Sequence, residues 1–285
     1  MTILITGSSS YIGKNLIEEF KKRKIKYLGL DLNITKNKNC IKLDILKKKQ
    51  LKLLKKKFSL IIHLAAVSNE NDAKKKPTKC FEVNFLGTLN IINFAIEKKI
   101  PKILFASTEW VYDFSGYKNN HVNRKLNFFS MKNFYASSKF LGEQLIKNQS
   151  LVKYCILRFG IIYGKRKKKF SAVETIVKNL KNNSHIVIGS KKTMRRFIHI
   201  DDVVSAIVKS IKFKNNCLAD IQGPEKITLG YLIFLLSKIL KKDIKVVENN
   251  KKKPSIRNVV ISKKIDKLEW RPRIRIKDGL LNIVK

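Results

Sequence analysis

The stretch that decides the fold is TGSSSYIG, residues 6–13. It follows the apolar run ILI at 3–5, and apolar residues recur after it at helical spacing. This pattern predicts a strand, a glycine-rich turn and a helix. Such a turn directs backbone N–H groups and the helix dipole toward a phosphate, with Gly7 allowing the tight turn and Gly13 allowing close helix–strand packing. The sequence therefore predicts a dinucleotide site near its N-terminus.

Short apolar runs alternate with amphipathic stretches through the first half of the chain. The predicted strands are residues 3–5, 27–30, 60–64, 102–106 and 153–159. The later predicted helices are residues 80–98, 134–146, 203–211 and 229–240. Strands alternating with helices predict an α/β fold with a doubly wound parallel sheet of Rossmann type. The alternation becomes irregular after Gly164, so we expect an NAD-binding domain over 1–164 and a smaller substrate-binding region over 165–285, part of which returns to the core.

Asp31 ends the second predicted strand, 18 residues after Gly13. A carboxylate at this place accepts hydrogen bonds from the adenosine ribose hydroxyls and repels a 2′-phosphate, which favours NAD over NADP. An aspartate of an ordinary surface turn is the alternative interpretation. Asp44 follows a third, short strand between the predicted strands 27–30 and 60–64, and it is a candidate contact to the adenine.

Motifs in a fixed order run along nearly the whole chain. They are TGSSSYIG (6–13), HLAA (63–66), NFLGTLN (84–90), STEWVYD (107–113), YASSK (135–139), RRFIHIDDV (195–203) and EWRP (269–272). Together they resemble the extended short-chain dehydrogenases/reductases, the NAD-dependent epimerase/dehydratase family. The resemblance implies NAD as the cofactor, a nucleotide-sugar substrate and a homodimer. The cofactor contacts that it implies are Gly7, Ser10, Tyr11, Ile12, Gly13, Asp31, Asp44, Ile45, Leu64, Ala65, Ala66, Asn84, Tyr135 and Lys139.

Two positions depart from the pattern of this family. Ser10 replaces the middle glycine of Thr-Gly-x-x-Gly-x-x-Gly, the glycine that lets the backbone approach the pyrophosphate. We expect the Cβ of Ser10 to crowd the cofactor, so that Ser10→Gly keeps or improves NAD affinity. Many relatives also carry an Asn three residues after the arginine of the LRFGIIYG strand. Here Arg158 is followed at that spacing by Ile161, which leaves the identity of the substrate open.

Tyr135 and Lys139 are four residues apart and share one face of a predicted helix. A neighbouring ammonium favours the phenolate, so we expect Lys139 to bring the pKa of Tyr135 toward neutrality. Tyr135 could then take a proton from a sugar hydroxyl while hydride leaves for the nicotinamide, or run the reverse. The resemblance implies that Lys139 also holds the nicotinamide ribose and that Thr108, 27 residues upstream of Tyr135, hydrogen-bonds the reacting oxygen.

The residues after Thr108 bear on the type of reaction. Family dehydratases resemble Ser-Thr-Asp-Glu-Val-Tyr-Gly, whereas this chain has Glu109 and Trp110 in place of the acidic pair. The second carboxylate is missing, so 4,6-dehydration is not expected. STEWVYD is similar to the motif of dTDP-4-dehydrorhamnose reductases, while RRFIHIDDV is more similar to that of epimerases and their reductase relatives. Epimerase and 4-keto reductase both remain open. The resemblance implies that the substrate is contacted by Thr108, Glu109, Arg195 and Arg257, with Arg195 binding its diphosphate.

The composition narrows the choice of partners and compartment. The net charge is +41, and ten of the 62 basic residues are Arg, so lysine supplies most of it. The lysines are spread in short runs without interleaved aromatic residues, which favours a solvated surface or steering of anionic substrates over a specific nucleic-acid site. We see no apolar run of about 20 residues and no signal peptide, and therefore expect a cytoplasmic protein without a membrane span. The spacing of the four cysteines predicts no metal site.

Two other kinds of protein remain possible from the sequence. One is a non-catalytic dinucleotide-binding sensor or scaffold on the same fold, which Ser10 favours and the set Thr108, Tyr135 and Lys139 disfavours. The other is a nucleic-acid-associated protein, which the charge alone favours. His63 and His199 lie in apolar, strand-like runs and are expected to be structural.

We predict that the protein prefers NAD(H) to NADP(H) and that Asp31→Ala narrows the difference, because the carboxylate repels a 2′-phosphate. Calorimetric titration of each cofactor into both proteins measures the effect. Binding of NADPH about tenfold tighter than NADH by the unmodified protein would show that Asp31 has been misinterpreted.

Overall fold

The computed structural model describes residues 2–34, 37–112, 133–168, 170–255 and 269–285. Its strands are β1 (Thr2–Thr6), β2 (Tyr27–Asp31), β3 (Cys40–Lys42), β4 (Phe58–His63), β5 (Lys102–Thr108), β6 (Lys153–Phe159), β7 (Ile161–Tyr163), β8 (His185–Ile188), β9 (Met194–Arg195), β10 (Phe197–His199), β11 (Cys217–Ile221), β12 (Ile227–Thr228) and β13 (Lys245–Glu248). Its helices are α1 (Tyr11–Lys22), α2 (Lys48–Lys52), α3 (Glu70–Lys75), α4 (Pro77–Phe81), α5 (Gly87–Glu97), α6 (Phe134–Asn148), α7 (Ala172–Asn182), α8 (Ile200–Ile211), α9 (Leu229–Leu240) and α10 (Ile276–Val284).

The main sheet has seven strands in the order β11-β6-β5-β4-β1-β2-β3, and all the pairings between them are parallel. The order of the strands reverses between β1 and β4. In a doubly wound sheet, ligands bind beyond the carboxyl ends of the strands at such a reversal. The predicted Rossmann-type α/β fold is therefore confirmed, and the glycine-rich turn after β1 lies at this point.

The predicted elements of the first half agree with the structure to within about two residues at most ends. One difference is the helix predicted over 80–98, which consists of α4, a π-helical segment Glu82–Leu86 and α5 in succession. Beyond residue 164, α8 and β11 pack onto or into the main sheet, with Cys217 of β11 beside Cys155 of β6. The division of the chain at residue 164 stays a prediction.

Two apolar clusters cover the two faces of the main sheet. Alternate residues of β1 point to opposite sides, so that Ile3 and Ile5 join the cluster with α1 and α8, whereas Leu4 joins the cluster with α5. Trp270 seals the first cluster and donates its indole N–H to Ser205 Oγ at 2.7 Å. A third cluster joins α7, α9 and α10 with the short strands of the second half. The main sheet is thus buried on both faces, as its continuous apolar strands require.

His63, at the end of β4, ties the centre of the sheet to the neighbouring helix. Its Nδ1 lies 2.6 Å from Thr6 Oγ1, and its Nε2 lies 3.1 Å from Thr88 Oγ1. Because the Thr88 hydroxyl donates to the Asn84 carbonyl, it accepts from Nε2–H, and Nδ1 accepts from Thr6. Burial, reinforced by the charge of Lys139, lowers the pKa of His63 to about 3. The structural role expected for His63 is confirmed.

We predict that His63 makes the fold sensitive to mild acid. Since its pKa in the folded chain lies below its unfolded value of about 6.5, the unfolded chain binds more protons and stability falls as the pH drops below that value. Between about pH 7 and about pH 5 the free energy of unfolding should lose about 2 kcal/mol through this group. Urea unfolding at the two pH values should show a smaller loss for His63→Gln, whereas the exposed His185→Gln should behave as wild type. An equal loss of unfolding free energy between the two pH values in all three proteins would contradict the prediction.

Candidate active site

The glycine-rich turn after β1 rests against the end of β4. Gly7 has a φ of 71°, in the left-handed region that favours glycine. A Cβ at Gly7 would lie 2.6 Å from the backbone nitrogen of Ala65, so only glycine fits this approach. The structure thus brings Leu64, Ala65 and the following Ala66 beside the turn, where the sequence predicted cofactor contacts.

Ser10 is the N-cap of α1, and its hydroxyl oxygen accepts from the Gly13 N–H at 3.0 Å. Sequence reasoning considered only the Cβ of Ser10 and missed this bond. Helix geometry leaves the N–H groups of Tyr11 and Ile12 without an intrahelical acceptor. Together with the helix dipole, these two amides form a suitable site for a phosphate.

Asp31 lies at the end of β2, directly beside the turn. Its Oδ2 accepts from the Ser9 N–H at 2.9 Å, and its Oδ1 accepts from the Asn33 N–H at 3.0 Å. The carboxylate is therefore tied to the nucleotide turn and partly exposed next to it. This is the place from which a carboxylate reaches the adenosine ribose of a bound dinucleotide.

Asp44 and Ile45 follow β3 on the outer side of the turn. Asp44 Oδ1 accepts from the Leu46 N–H at 2.9 Å. Ile45 is buried, and its carbonyl accepts from the Asn90 side chain at 3.0 Å. Both residues line the end of β3, and their contact to the adenine stays a prediction.

Thr108 and Tyr135 meet where β5 ends and α6 begins. Thr108 is the last residue of β5, and its hydroxyl makes a hydrogen bond with the Tyr135 phenol. Burial raises the pKa of Tyr135 to about 12, although the bond with Thr108 acts in the opposite direction. Lys139, one helical turn further along, is 3% exposed. Thr108 and Tyr135 thus meet at this strand end, and Lys139 is buried one helical turn further along α6.

The pKa values of this trio correct one expectation. Burial lowers the pKa of Lys139 to about 7, while the nearby Glu143 acts to raise it. Its ammonium lies 3.9 Å from the centroid of the Phe105 ring, a cation–π contact. The groups that act on the pKa of Tyr135, beside burial, are Thr108 and Cys80. The expectation that Lys139 brings the pKa of Tyr135 toward neutrality is therefore wrong for the folded chain, because burial raises that pKa and Lys139 is not among the groups that act on it.

A buried polar network that sequence reasoning missed lies beneath this trio. Arg158 of β6 donates from Nε and Nη2 to both carboxylate oxygens of Glu143 on α6, at 2.8 and 2.6 Å. Ser107 donates to the same carboxylate at 2.6 Å. On the other side, Arg158 Nη1 donates to the Tyr112 hydroxyl at 2.7 Å, which in turn donates to Asp220 of β11. The network joins α6 to three adjacent strands.

Two signals in the sequence could have revealed this network. Arg158 stands inside an apolar strand run, and a buried arginine requires a buried acceptor. Glu143 is four residues after Lys139 and therefore shares its helix face. Burial opposes ionisation of Glu143, yet the hydrogen bonds and charge of Arg158 keep its pKa below the usual range.

Asn84 is buried, and its side chain makes hydrogen bonds on both sides. Its Oδ1 accepts from the Val67 N–H at 2.8 Å, and its Nδ2 donates to the Val67 carbonyl at 3.0 Å and to Ser138 Oγ at 2.9 Å. It thus holds the loop after β4 against α6. Cys80 lies 3.4 Å from the same Ser138 hydroxyl. A direct contact of Asn84 with the cofactor stays a prediction.

Tyr11 connects the nucleotide turn to the loop that follows β7. The Arg166 guanidinium lies 3.8 Å from the centroid of the Tyr11 ring. Arg166 in turn pairs with Glu174 at 3.0 Å, and Glu174 also accepts from the Gly164 N–H at 2.8 Å. Arg166, from the second half of the chain, therefore packs on the first turn of α1. The sequence did not indicate this contact.

The predicted substrate residues are only partly assembled. Glu109 is 2% exposed and directly follows Thr108. Arg195 lies in β9, where its guanidinium donates to the Met194 carbonyl and to the carbonyl of Ser255, both at 2.7 Å. Arg257 lies outside the described residues. The substrate roles of these residues stay predictions.

Other residues of the motifs hold the second half of the chain together. His199 Nδ1 accepts from the Asp201 N–H at 3.3 Å and caps α8, as expected of a structural histidine. Asp202 accepts from the N–H groups of Arg273 and Ile274, at 3.1 and 3.0 Å. Asp202 of RRFIHIDDV thus holds the backbone directly after EWRP.

The remaining sequence features are reported briefly. The four cysteines are buried thiols. Among the residues that the structure describes, no helix is both long and apolar enough to cross a bilayer.

Comparison with known proteins adds a family and a fold. Residues 3–221 match the NAD dependent epimerase/dehydratase family. A putative UDP-glucose 4-epimerase of Methanocaldococcus jannaschii is 28% identical over 300 residues, covering 99% of this chain and 97% of that protein. Two solved structures share the fold along the whole chain. MoeE5 in complex with UDP-glucuronic acid and NAD has a TM-score of 0.87 at 16% identity and covers 100% of this chain and 98% of its own. UDP-glucose 4-epimerase of Thermotoga maritima with UDP-glucose has a TM-score of 0.83 at 21% identity, with 100% and 97% covered.

We predict that Ser10→Gly keeps the NAD affinity and costs only a few tenths of a kcal/mol in stability, because glycine is a tolerated N-cap. Ser10→Ala removes the acceptor for the Gly13 N–H and should cost about 1 kcal/mol. Urea unfolding and calorimetric titration with NAD measure the two effects. A large loss of NAD affinity in Ser10→Gly would show that the hydroxyl contacts the cofactor directly.

Proposed function

Because this chain belongs to the NAD-dependent epimerase/dehydratase family, as its motifs predict, we propose that it is an enzyme acting on a nucleoside-diphosphate sugar. The proposed reaction is oxidation or reduction at a sugar carbon, in a 4-epimerase or a 4-keto reductase. The observation that carries the proposal is the hydrogen bond between Thr108 and Tyr135 at the end of β5, with the buried Lys139 one helical turn further along α6. These are the residue types that reversible proton transfer beside a hydride transfer requires.

The residues of the turn fit a dinucleotide. Gly7 presses against Ala65, which leaves no room for a side chain there, and the amides of Tyr11 and Ile12 face the site from a helix N-terminus. Asp31 stands beside the turn as the proposed ribose acceptor. The family is NAD dependent, in agreement with the cofactor predicted from the sequence. Bound NAD would supply the hydride acceptor and, when oxidised, a positive charge.

The chain's own residues would handle the proton. With a pKa of about 12, Tyr135 holds its proton at neutral pH and can donate it to the oxygen of a keto sugar, which is the reductive direction. In the oxidative direction the same oxygen receives the proton of a sugar hydroxyl, which it can do only as the phenolate that remains after it has given up its own proton. Thr108 hydrogen-bonds Tyr135 and would orient that hydroxyl. Lys139, whose pKa burial lowers to about 7, is the proposed partner of the nicotinamide ribose.

Epimerisation is the first candidate reaction, and similarity supports it. The putative UDP-glucose 4-epimerase of M. jannaschii matches this chain almost from end to end. Reduction is the second candidate, because STEWVYD resembles the reductase motif. An epimerase returns the hydride to the same sugar and needs no added cofactor, so purified protein that turns over without added NADH supports epimerisation. Turnover that consumes NADH supports reduction.

The non-catalytic alternative loses its main support. It rested on Ser10, which here caps α1 as serine commonly does and leaves the neighbouring amides available.

We also keep the homodimer as a proposal. Phe134 and Leu86 are large apolar side chains that are 49% and 46% exposed, and Phe134 lies edge to face with Phe81. The molar mass in solution, from light scattering, tests the dimer.

We predict that Tyr135→Phe lowers turnover by roughly two to four orders of magnitude, the usual worth of a positioned acid–base group. The ring still packs, so the fold and the NAD affinity should survive. A panel of UDP-, dTDP-, GDP- and CDP-linked sugars and 4-keto sugars first identifies a substrate, and steady-state kinetics then compares the two proteins.

Lys139→Met is the companion variant and should lose turnover and part of the NAD affinity, because the lysine is the proposed partner of the nicotinamide ribose and positions the ring for hydride transfer. Full activity of Tyr135→Phe on any substrate of the panel would overturn the catalytic assignment. Bound NAD with no turnover on the whole panel would favour a non-catalytic module.

A further inference from the structure

Gln222 carries a buried carboxamide without a partner. The residue is 0% exposed, and neither its Nε2 nor its Oε1 has a hydrogen-bond partner within the described part of the chain. A carboxamide can donate from its nitrogen and accept at its oxygen, and burying both atoms unpaired is unfavourable. Such a group is retained in a core most simply when something else satisfies it.

The structure makes room for this side chain at one specific place. A Cβ at Gly160 would overlap the Gln222 Oε1 and would lie 2.9 Å from its Cδ. Any other residue at position 160 would therefore push the carboxamide aside. The missing side chain of Gly160 thus leaves the space that the unpaired carboxamide of Gln222 fills.

Gln222 lies at the edge of the sheet that holds the proposed active site. Thr108 of β5 is level with Phe159 of β6, and Phe159 is level with Ile221 of β11. Gln222 is the next residue, two strand spacings or about 10 Å from Thr108. The adjoining Gly223 carbonyl accepts from Arg196 at 3.0 Å, which fixes the backbone here. Gln222 and Thr108 therefore lie at the same edge of the sheet, with β6 between their strands.

We propose that Gln222 is a recognition residue for a neutral group of the bound reactants that both donates and accepts hydrogen bonds. Two sources carry this chemistry: a hydroxyl or acetamido substituent of the sugar, and the carboxamide of the nicotinamide. The proposal rests on the proposed function, because both sources belong to its reactants. It adds a residue that none of the motifs singles out.

The lack of a partner is what makes Gln222 available. A glutamine side chain has three rotatable bonds, and moving this one toward a ligand breaks no hydrogen bond. A ligand group that offers both a donor and an acceptor satisfies both carboxamide atoms at once. A carboxylate only accepts, so it would leave the Oε1 unpaired. Gln222 therefore favours neutral substituents over acidic ones.

The test compares wild type with Gln222→Leu, which keeps the approximate volume and removes the polar atoms. Gly160→Ala is the matched second variant, because it retains the carboxamide and displaces it. Calorimetry measures the affinity of each protein for NAD⁺ and for ADP-ribose, which lacks the nicotinamide. It also measures the affinity for UDP-glucose, UDP-N-acetylglucosamine and UDP, which lacks the sugar. Thermal unfolding reports whether each variant is folded.

We expect both variants to bind either NAD⁺ or the nucleotide sugars about tenfold more weakly than wild type. Their affinity for the matching shortened ligand, ADP-ribose or UDP, should stay unchanged. Loss of NAD⁺ affinity with ADP-ribose unchanged identifies the nicotinamide, and loss of nucleotide-sugar affinity with UDP unchanged identifies the sugar. Unchanged affinities in Gln222→Leu, with a raised unfolding midpoint, would overturn the inference, since the carboxamide would then be only a cost to stability. Wild-type protein that binds neither NAD⁺ nor a nucleotide sugar would overturn the proposed function and the inference together.

Discussion

The paired hydrogen bonds between Glu143 and Arg158 are the interaction on which the geometry of the site depends. Both side chains are almost fully buried, and the pair joins α6 to β6. Burying two charges is costly, and removing one partner of such a pair typically costs about 3–5 kcal/mol because the other charge is left uncompensated. Tyr135, Lys139 and Glu143 are spaced by four residues, so fixing Glu143 also fixes the rotation of α6 about its axis. Tyr135, the proposed proton donor, consequently meets Thr108 at the end of β5.

The same ion pair extends the constraint across the sheet. Ser107 binds Glu143 and directly precedes Thr108, while Tyr112 and Asp220 continue the chain of hydrogen bonds from Arg158. Strands β5, β6 and β11 are thereby held together at the edge where the site lies. Polar networks of this kind specify one arrangement when every member is satisfied. Gln222, two residues after Asp220, stands out because its own polar atoms are left unpaired.

The sequence predicted those parts of the fold that local patterns encode. The first strand, the turn and α1 follow from apolar periodicity and from Gly7, and Asp31 follows from its distance to that turn. Strands such as β9 and β12 consist of two residues each and pair with one another, so they carry no periodicity of their own. Arg158 and Glu143 are 15 residues apart, and their contact depends on how α6 docks on the sheet. The short strands could not be predicted from the chain, and the positions of Arg158 and Glu143 indicated buried charges without showing that the two pair.

The pKa values of Tyr135 and Lys139 could not be predicted from the sequence for a related reason. A tyrosine and a lysine on one helix face suggest mutual attraction, but burial acts on each group separately and more strongly. Burial raises the pKa of Tyr135 to about 12 and lowers that of Lys139 to about 7, although the chain has a net charge of +41. The phenol therefore keeps its proton at neutral pH, and the lysine loses its proton more easily than an exposed one. Desolvation, which the spacing of the two residues in the sequence does not show, thus dominates the protonation of both side chains.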